Sequence, residues 1–390
     1  WCVTPFFWVS ANALMPDMIL FALISCGVAL LIGGRNLHLG VFLCGSSVLF
    51  RYSGLAILPL IVAWGFFYRP KRWKSLLIVL CMPTLFLLVH DVEFYGEWHF
   101  WHMISFQSET HSSEQFLGQI GACFAMVFGG FFWAFSTRLS NFKIWAVASM
   151  TTGLLIGLFG FFDAWDLWHY GFFLLGFSLV GHAIEFYWYR KDYWFVLWIL
   201  GGILFLLNLR FMATRYWIPF LLPILLFLVS QRSFRQMFIP AGFGLFLSMS
   251  LAWDDYSLAK MQKALAENVE ELRIKSGCDR AFFAGHWGWQ YYLESKNWRS
   301  IEEGMEIPEE ACIAFSEVSW PQEYHSACPE TDILNSEQIL LPIRVHSRDS
   351  RVNYHSNYLS TDPVLMGFAP WGLGFDPWDR AHFSKACTRF

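Results

Sequence analysis

Long apolar runs recur from Trp1 to Trp253, and few folds can bury them. A membrane-spanning helix needs roughly 20 mostly apolar residues, because it rises about 1.5 Å per residue through about 30 Å of hydrocarbon. Residues 14–33, 39–50 with 54–67, 75–90, 116–135, 144–162, 171–187, 194–209, 218–230 and 237–253 are candidate spans. Hydrophobic residues make up 56 % of the chain and charged residues 15 %, against about 25 % charged in a soluble globular domain. The sequence therefore predicts an α-helical multispan membrane domain over residues 1–253. Residues 254–390 read as ordinary mixed sequence and predict a small soluble α/β domain outside the membrane. A net charge of -4 gives no reason to expect nucleic acid as a partner. The chain begins at Trp1 within apolar sequence, with no Met and no signal peptide, which predicts at least one further span upstream.

Loop charge sets the orientation. "YRPKRWK" (68–74), "STRLSNFK" (136–143), "YRKDY" (189–193) and "SQRSFRQ" (230–236) are basic, and the positive-inside rule makes them cytoplasmic. The loops between them, 90–115 and 162–170, are acidic and aromatic and fall on the outer side, as does everything from Asp254 onward. This is the topology of a multi-pass protein of the plasma (inner) membrane with its C-terminal domain outside. The pair of short spans broken at "RYSG" (51–54) requires a cavity or protein around the break, since irregular backbone cannot face lipid.

In the tail, "SLAKMQKALAENVEELRIKSG" is apolar at Leu258, Met261, Leu265, Val269 and Leu272, a helical spacing that ends at Gly277. Residues 280–285, 311–318 and 338–345 read as strands, with a helix near 287–295. Cys278, Cys312, Cys328 and Cys387 all lie in this tail, and an outer-face domain permits disulfides. Four cysteines allow three pairings, between which the sequence does not choose. Cys26, Cys44, Cys81 and Cys123 lie in spans and read as small buried apolar residues.

The outer-face polar groups are Asp17, Arg51, Tyr52, His90, Asp91, Glu93, Glu97, His99, His102, Asp163, Asp166, His169, Arg210 and Arg215. Their gathering at one membrane face is the pattern of an interfacial site. Asp17 follows Pro16 and suits the first turn of a helix, where Pro and an acid are both favoured. Helix start and functional carboxylate are both open readings of it. His99 and His102, three apart in "EWHFWHM", would share a helical face as ligands of a divalent metal, with Glu93 or Glu97 completing the set. The alternative is an interfacial helix whose Trp98, Phe100 and Trp101 sit at headgroup level. Arg215, followed by Tyr216, either recognises phosphate with its planar fork or snorkels to the interface.

Three stretches together carry a resemblance. "TPFFWVSANALMPDMILFAL", "FRYSGLAILPLI" and "TRYWIPFLLPILL" resemble the C-type, polyprenyl-phosphate-dependent glycosyltransferases. Within that group they are most similar to bacterial relatives of dolichyl-phosphate-mannose protein mannosyltransferases and of the lipid A aminoarabinose transferase. The likeness covers roughly residues 1–253, and "FAGHWGWQYYLE" and "PWGLGFDP" look similar to tails of some bacterial members. The resemblance implies an outer-face active site between loops and a lipid-linked sugar donor. It implies that an acidic catalytic residue lies on a loop preceding Trp1, and that Asp17 is the second acidic position.

A sugar on a polyprenyl phosphate requires an acceptor oriented or deprotonated by a carboxylate and a leaving phosphate neutralised by cations. The expected roles are Asp17 near the acceptor or a metal, Arg51, Arg210 and Arg215 on phosphate, and Tyr52, Tyr216 and Glu97 as further substrate-binding residues. The acceptor would be a lipid, a glycan or a protein. Two other classes remain open: a transporter or lipid flippase, which would place polar groups near the bilayer midplane and show internal repeats, and a non-enzymatic assembly protein that uses its tail as an adaptor.

Overall fold

The computed structural model describes residues 4–12, 16–107, 120–127, 167–209, 213–231, 233–302, 305–308, 310–318, 332–335, 342–347, 352–355, 369–375 and 377–385. They form two compact units, divided at Met249 and Ser250, with residues 354–355 and 369–370 belonging to the first. The sequence places this division four residues later. The helix Phe234–Lys275 runs unbroken across it and joins the expected last span to the expected tail helix.

The first unit is helical. Its opening helices are α1 (Pro5–Asn12), α2 (Asp17–Ile32), α3 (Leu37–Ser46), α4 (Leu58–Tyr68), α5 (Trp73–Tyr95) and α6 (His99–Gln107). The helices Leu167–Tyr189, Tyr193–Leu207 and Leu221–Ser230 follow. Residues 120–127 are helical; the rest of the expected span 116–135 and all of 144–162 lie outside the described residues. α2 and α3 cross at two glycines. A Cβ on Gly27 would lie 2.6 Å from the Gly40 carbonyl oxygen, and one on Gly40 2.9 Å from that of Gly27. Small residues at such a crossing let two backbones approach closely.

The expected break at 51–54 is present. α3 passes into a 3-10 turn at Ser47–Leu49, the chain extends at Arg51 (φ -162°, ψ 138°), and a second 3-10 turn, Tyr52–Ile57, leads into α4. A second irregular passage is the 3-10 segment Thr214–Phe220, where the sequence predicts the start of a span. Trp217 fills the packing beside it, and its indole N–H donates to the Cys123 carbonyl at 2.7 Å.

α5 is longer than the expected 75–90, because the helix continues through His90–Tyr95 before Gly96 (φ +77°) ends it in a left-handed cap. Its inward side carries Leu76, Leu80, Pro83 and Asp91, while Ile78, Met82, Leu85, Phe86 and Val89 are each more than half exposed. Among the described residues two helices are long and apolar enough to cross a membrane, Trp73–Tyr95 and the stretch His169–Tyr189. Several apolar helices of 10–17 residues accompany them, α2 and Tyr193–Leu207 included. Cys44 and Cys123 are buried as expected, but Cys81 is half-buried and Cys26 is exposed.

The second unit is α/β, as its sequence predicts. Its strands are β1 (Ala281–Ala284), β2 (Arg299–Ser300), β3 (Cys312–Ser316), β4 (Asp332–Asn335), β5 (Ile343–Arg344), β6 (His346–Ser347), β7 (Val352–Asn353), β8 (Gly372–Leu373) and β9 (Arg380–Lys385). Five of them form a sheet in the order β2-β1-β3-β9-β4, parallel across β2, β1 and β3 and antiparallel from β3 to β9 and from β9 to β4. The helix Trp287–Glu294 makes the crossover from β1 to β2. Of the expected strand 338–345 only Ile343–Arg344 appears as a strand, paired with β8 away from the main sheet; residues 338–341 lie outside the described residues.

Leu265 and Val269 of the long helix pack with Phe283, Trp289, Cys312 and Phe383 in one core. Arg273 grips Glu270 through Nε and Nη2, both at 2.7 Å, and donates through Nη1 to the Cys278 carbonyl at 2.9 Å. That grip holds the Glu270 carboxyl below its ordinary value. Cys278 and Cys312 are joined by a disulfide, one pairing of the three the sequence leaves open. Cys328 and Cys387 lie outside the described residues.

Asp379 is a buried acid in this unit. It accepts the Ser316 hydroxyl at 2.7 Å, the Val318 N–H at 3.2 Å and the Arg380 N–H at 2.7 Å. Burial nevertheless pushes its carboxyl up to about 7. The folded state therefore binds this proton more tightly than the unfolded chain, where an Asp titrates near about 3.9. The proton's contribution to stability is complete below about pH 4 and is lost as pH rises toward about 7. Asp379→Asn removes the titration, so the stability difference between wild type and variant should change by a few kcal/mol across that window and level off above it. Chemical denaturation of both proteins from pH 4 to 8 checks this.

Candidate active site

Pro16, with φ at -63°, leads the chain into α2, so Asp17 is the first residue of that helix, as expected. Asp17 is 1 % exposed, and its Oδ2 is ion-paired with Nη1 of Arg51 from the broken passage. Its other oxygen, Oδ1, is buried with no hydrogen-bond partner among the described residues. A buried carboxylate is tolerated where a cation and hydrogen bonds compensate it, and here the compensation covers one oxygen.

The second irregular passage completes the group. α2 packs against the segment Thr214–Phe220, which presents Arg215 and Tyr216. The Arg51 guanidinium lies 4.9 Å from the centroid of the Tyr216 ring, and that of Arg215 lies 5.2 Å from the same centroid. Two cations thus share one aromatic ring, a favourable cation–π arrangement. Nε of Arg215 is buried without a hydrogen-bond partner among the described residues. The cluster has one carboxylate and two guanidiniums, an excess of positive charge with the fork geometry suited to phosphate oxygens.

A second group adjoins through Tyr52. Its hydroxyl donates to Oδ2 of Asp91 at 2.8 Å, and Oδ1 of Asp91 is 3.4 Å from Nδ1 of His90. The Tyr52 ring lies 5.9 Å from His99 and 6.1 Å from Phe100, centroid to centroid. The first turn of α6 therefore packs beside the site.

Asp17, Arg51, Arg215 and Tyr216 come together, while Tyr52, next to Arg51 in the chain, turns its hydroxyl to Asp91. Glu97 does not join them; it is exposed on the turn between α5 and α6. Arg210, Asp163 and Asp166 lie outside the described residues. His99 and His102 do share a face of α6, with rings stacked at 5.6 Å. Among the described residues, however, no three His, Cys, Asp or Glu side chains are grouped to hold a metal ion. The expected set with Glu93 or Glu97 is therefore not assembled. The sequence places Asp91 among the outer-face polar groups but does not show its partner, the Tyr52 hydroxyl. Its signal is a carboxylate inside the apolar stretch "FLLVHDVEF", hidden because the apolar run predicts a helix end at His90.

Comparison with known proteins finds no matching family model, no matching curated protein and no matching solved structure.

Proposed function

We propose that this chain acts as a multi-pass glycosyltransferase of the plasma (inner) membrane that moves a sugar from a polyprenyl-phosphate donor to a lipid, glycan or protein acceptor on the outer face. The observation that carries this reading is the buried Asp17 carboxylate beside Arg51 and Arg215, the two cations sharing the ring of Tyr216. In the reaction an acceptor hydroxyl attacks the anomeric carbon. The bond from that carbon to the phosphate oxygen breaks, and its electron pair stays on the lipid phosphate. Oδ1 of Asp17, the oxygen not paired with Arg51, receives the acceptor proton, while Arg51 and Arg215 stabilise the charge that collects on the phosphate.

A membrane setting is supported by the exposed apolar face of α5, since contiguous apolar patches of that kind mark lipid or protein contacts. It is supported too by the alternation of basic and acidic loops. The disulfide in the second unit fits an oxidising compartment and so an outer location for that unit. The test of the reading is incubation of the full-length protein in liposomes with a polyprenyl-phosphate sugar labelled in the sugar. Label moving from lipid phosphate to membrane-extract acceptors supports it; donor left intact overturns it.

Arg215→Lys separates phosphate recognition from interfacial snorkelling. An ammonium keeps the charge but not the bidentate fork. If Arg215 holds the phosphate, the Lys variant should lose about ten- to a hundredfold in kcat/KM for the donor, the equivalent of one charge-assisted hydrogen bond. Wild-type donor kinetics in the Lys variant would remove Arg215 from the phosphate site.

A further inference from the structure

Asp91 sits just before the last turn of α5, near the backbone carbonyls that form the negative end of the helix, an end that does not favour an anion. It is 2 % exposed and faces inward from a helix whose other side is apolar and open. Among the described residues its side-chain partners are Tyr52 and His90, and neither is a Lys or an Arg. Holding a phenol in place needs no charge, since a neutral amide oxygen accepts the same hydrogen bond without the desolvation that burying a carboxylate entails. What the charge adds is strength, because a bond to an ionised acceptor is about twice as strong as a neutral one.

The held element is the turn that places Arg51. Tyr52 opens the 3-10 turn Tyr52–Ile57, and Arg51 precedes it in extended conformation. On one side the turn is pressed against the Ser47–Leu49 turn, so closely that a Cβ on Gly54 would lie 2.7 Å from the Ser47 carbonyl carbon. On the other side, the Tyr52–Asp91 bond ties it to α5. Arg51 is therefore carried on a backbone fixed from both sides, and its guanidinium reaches both Asp17 and Tyr216.

We propose that Asp91 is a positioning residue: through Tyr52 it fixes the turn from which Arg51 reaches the site, and so sets the affinity for the donor's phosphate. This rests on the reading of Arg51 and Arg215 as phosphate-binding. The probe is a fluorescent polyprenyl phosphate without sugar, titrated onto the full-length protein in nanodiscs, with folded protein counted by thermal unfolding. Tyr52→Phe and Asp91→Leu should each raise Kd about tenfold, and the double variant should lose no more than either one. Asp91→Asn, which keeps an acceptor for the Tyr52 hydroxyl, should bind between wild type and Asp91→Leu. With donor, the Tyr52→Phe variant should lose about tenfold in kcat/KM, since a misplaced Arg51 serves neither the bound phosphate nor the charge that collects on it.

If Asp91→Leu does not fold, Tyr52→Phe and Asp91→Asn decide. Wild-type Kd in Tyr52→Phe, or losses that add in the double variant, would overturn the positioning role while leaving the phosphate site in place. A purely structural role would reduce the amount of folded protein and leave the Kd of what folds unchanged. Failure of the wild-type protein itself to bind polyprenyl phosphate would overturn the phosphate reading and this inference together.

Discussion

Asp17→Asn in the full-length protein is expected to lower transfer by roughly 10²–10⁴-fold, the range that a positioned acid or base contributes. The substitution keeps the shape of the side chain, and its amide oxygen still accepts from Arg51. It removes the charge and the basicity of the oxygen that has no hydrogen-bond partner among the described residues. Expression and membrane insertion should be unaffected, because a neutral amide is less costly to bury than a carboxylate. Asp17→Ala is expected to behave differently. It strips Arg51 of its counter-ion and should cost up to about 3 kcal/mol in stability, the lower end for a broken buried pair, since Arg51 is 21 % exposed. Initial rates of sugar transfer and detergent-resistant yield, measured on both variants, separate the two effects. Near-normal turnover in Asp17→Asn would return this residue to the role of a helix start.

The second large effect is expected in the tail. The Cys278–Cys312 bridge closes a loop between positions 34 apart, and both cysteines belong to the core that holds Trp289 and Phe383. On the chain-entropy account, opening a loop of that length removes about 4 kcal/mol from the second unit. Cys278→Ser with Cys312→Ser, or reduction of the wild-type protein, should lower its unfolding transition accordingly. Far-UV circular dichroism of the full-length protein, heated with and without reductant, checks this. An unchanged transition would mean that the core and the Arg273–Glu270 grip suffice without the bridge.

How much of this was legible in the sequence differs by element, for physical reasons. The tail helix was readable because Leu258, Leu265 and Val269 repeat at helical spacing and are the residues that become buried. Strands β1 and β3 were readable as short apolar runs between turn residues. Strand β9 was not, since "RAHFSK" alternates weakly and gains its place only by pairing with β3, more than 60 positions earlier. The broken passage at Arg51 was visible in "RYSG", a charge and a glycine where a span should continue. The end of α5 was misplaced, because His90 and Asp91 look like the start of a polar loop. The helix carries them on by turning Asp91 inward to Tyr52 and leaving His90 against Phe94. The ring shared by Arg51 and Arg215 could not be read from the chain at all, since cation–π geometry between positions 51 and 216 is a product of packing.

The measurement that tests the proposed reaction most directly is the stoichiometry of its two products. The full-length protein, reconstituted in liposomes with a polyprenyl-phosphate sugar carrying separate labels in sugar and lipid, is followed by mass spectrometry of the lipid extract and of the acceptor fraction. One free polyprenyl phosphate is expected for each sugar gained by an acceptor, with both products lost together in Asp17→Asn. Donor that crosses the bilayer intact, or sugar transfer that proceeds undiminished in Asp17→Asn, would contradict it.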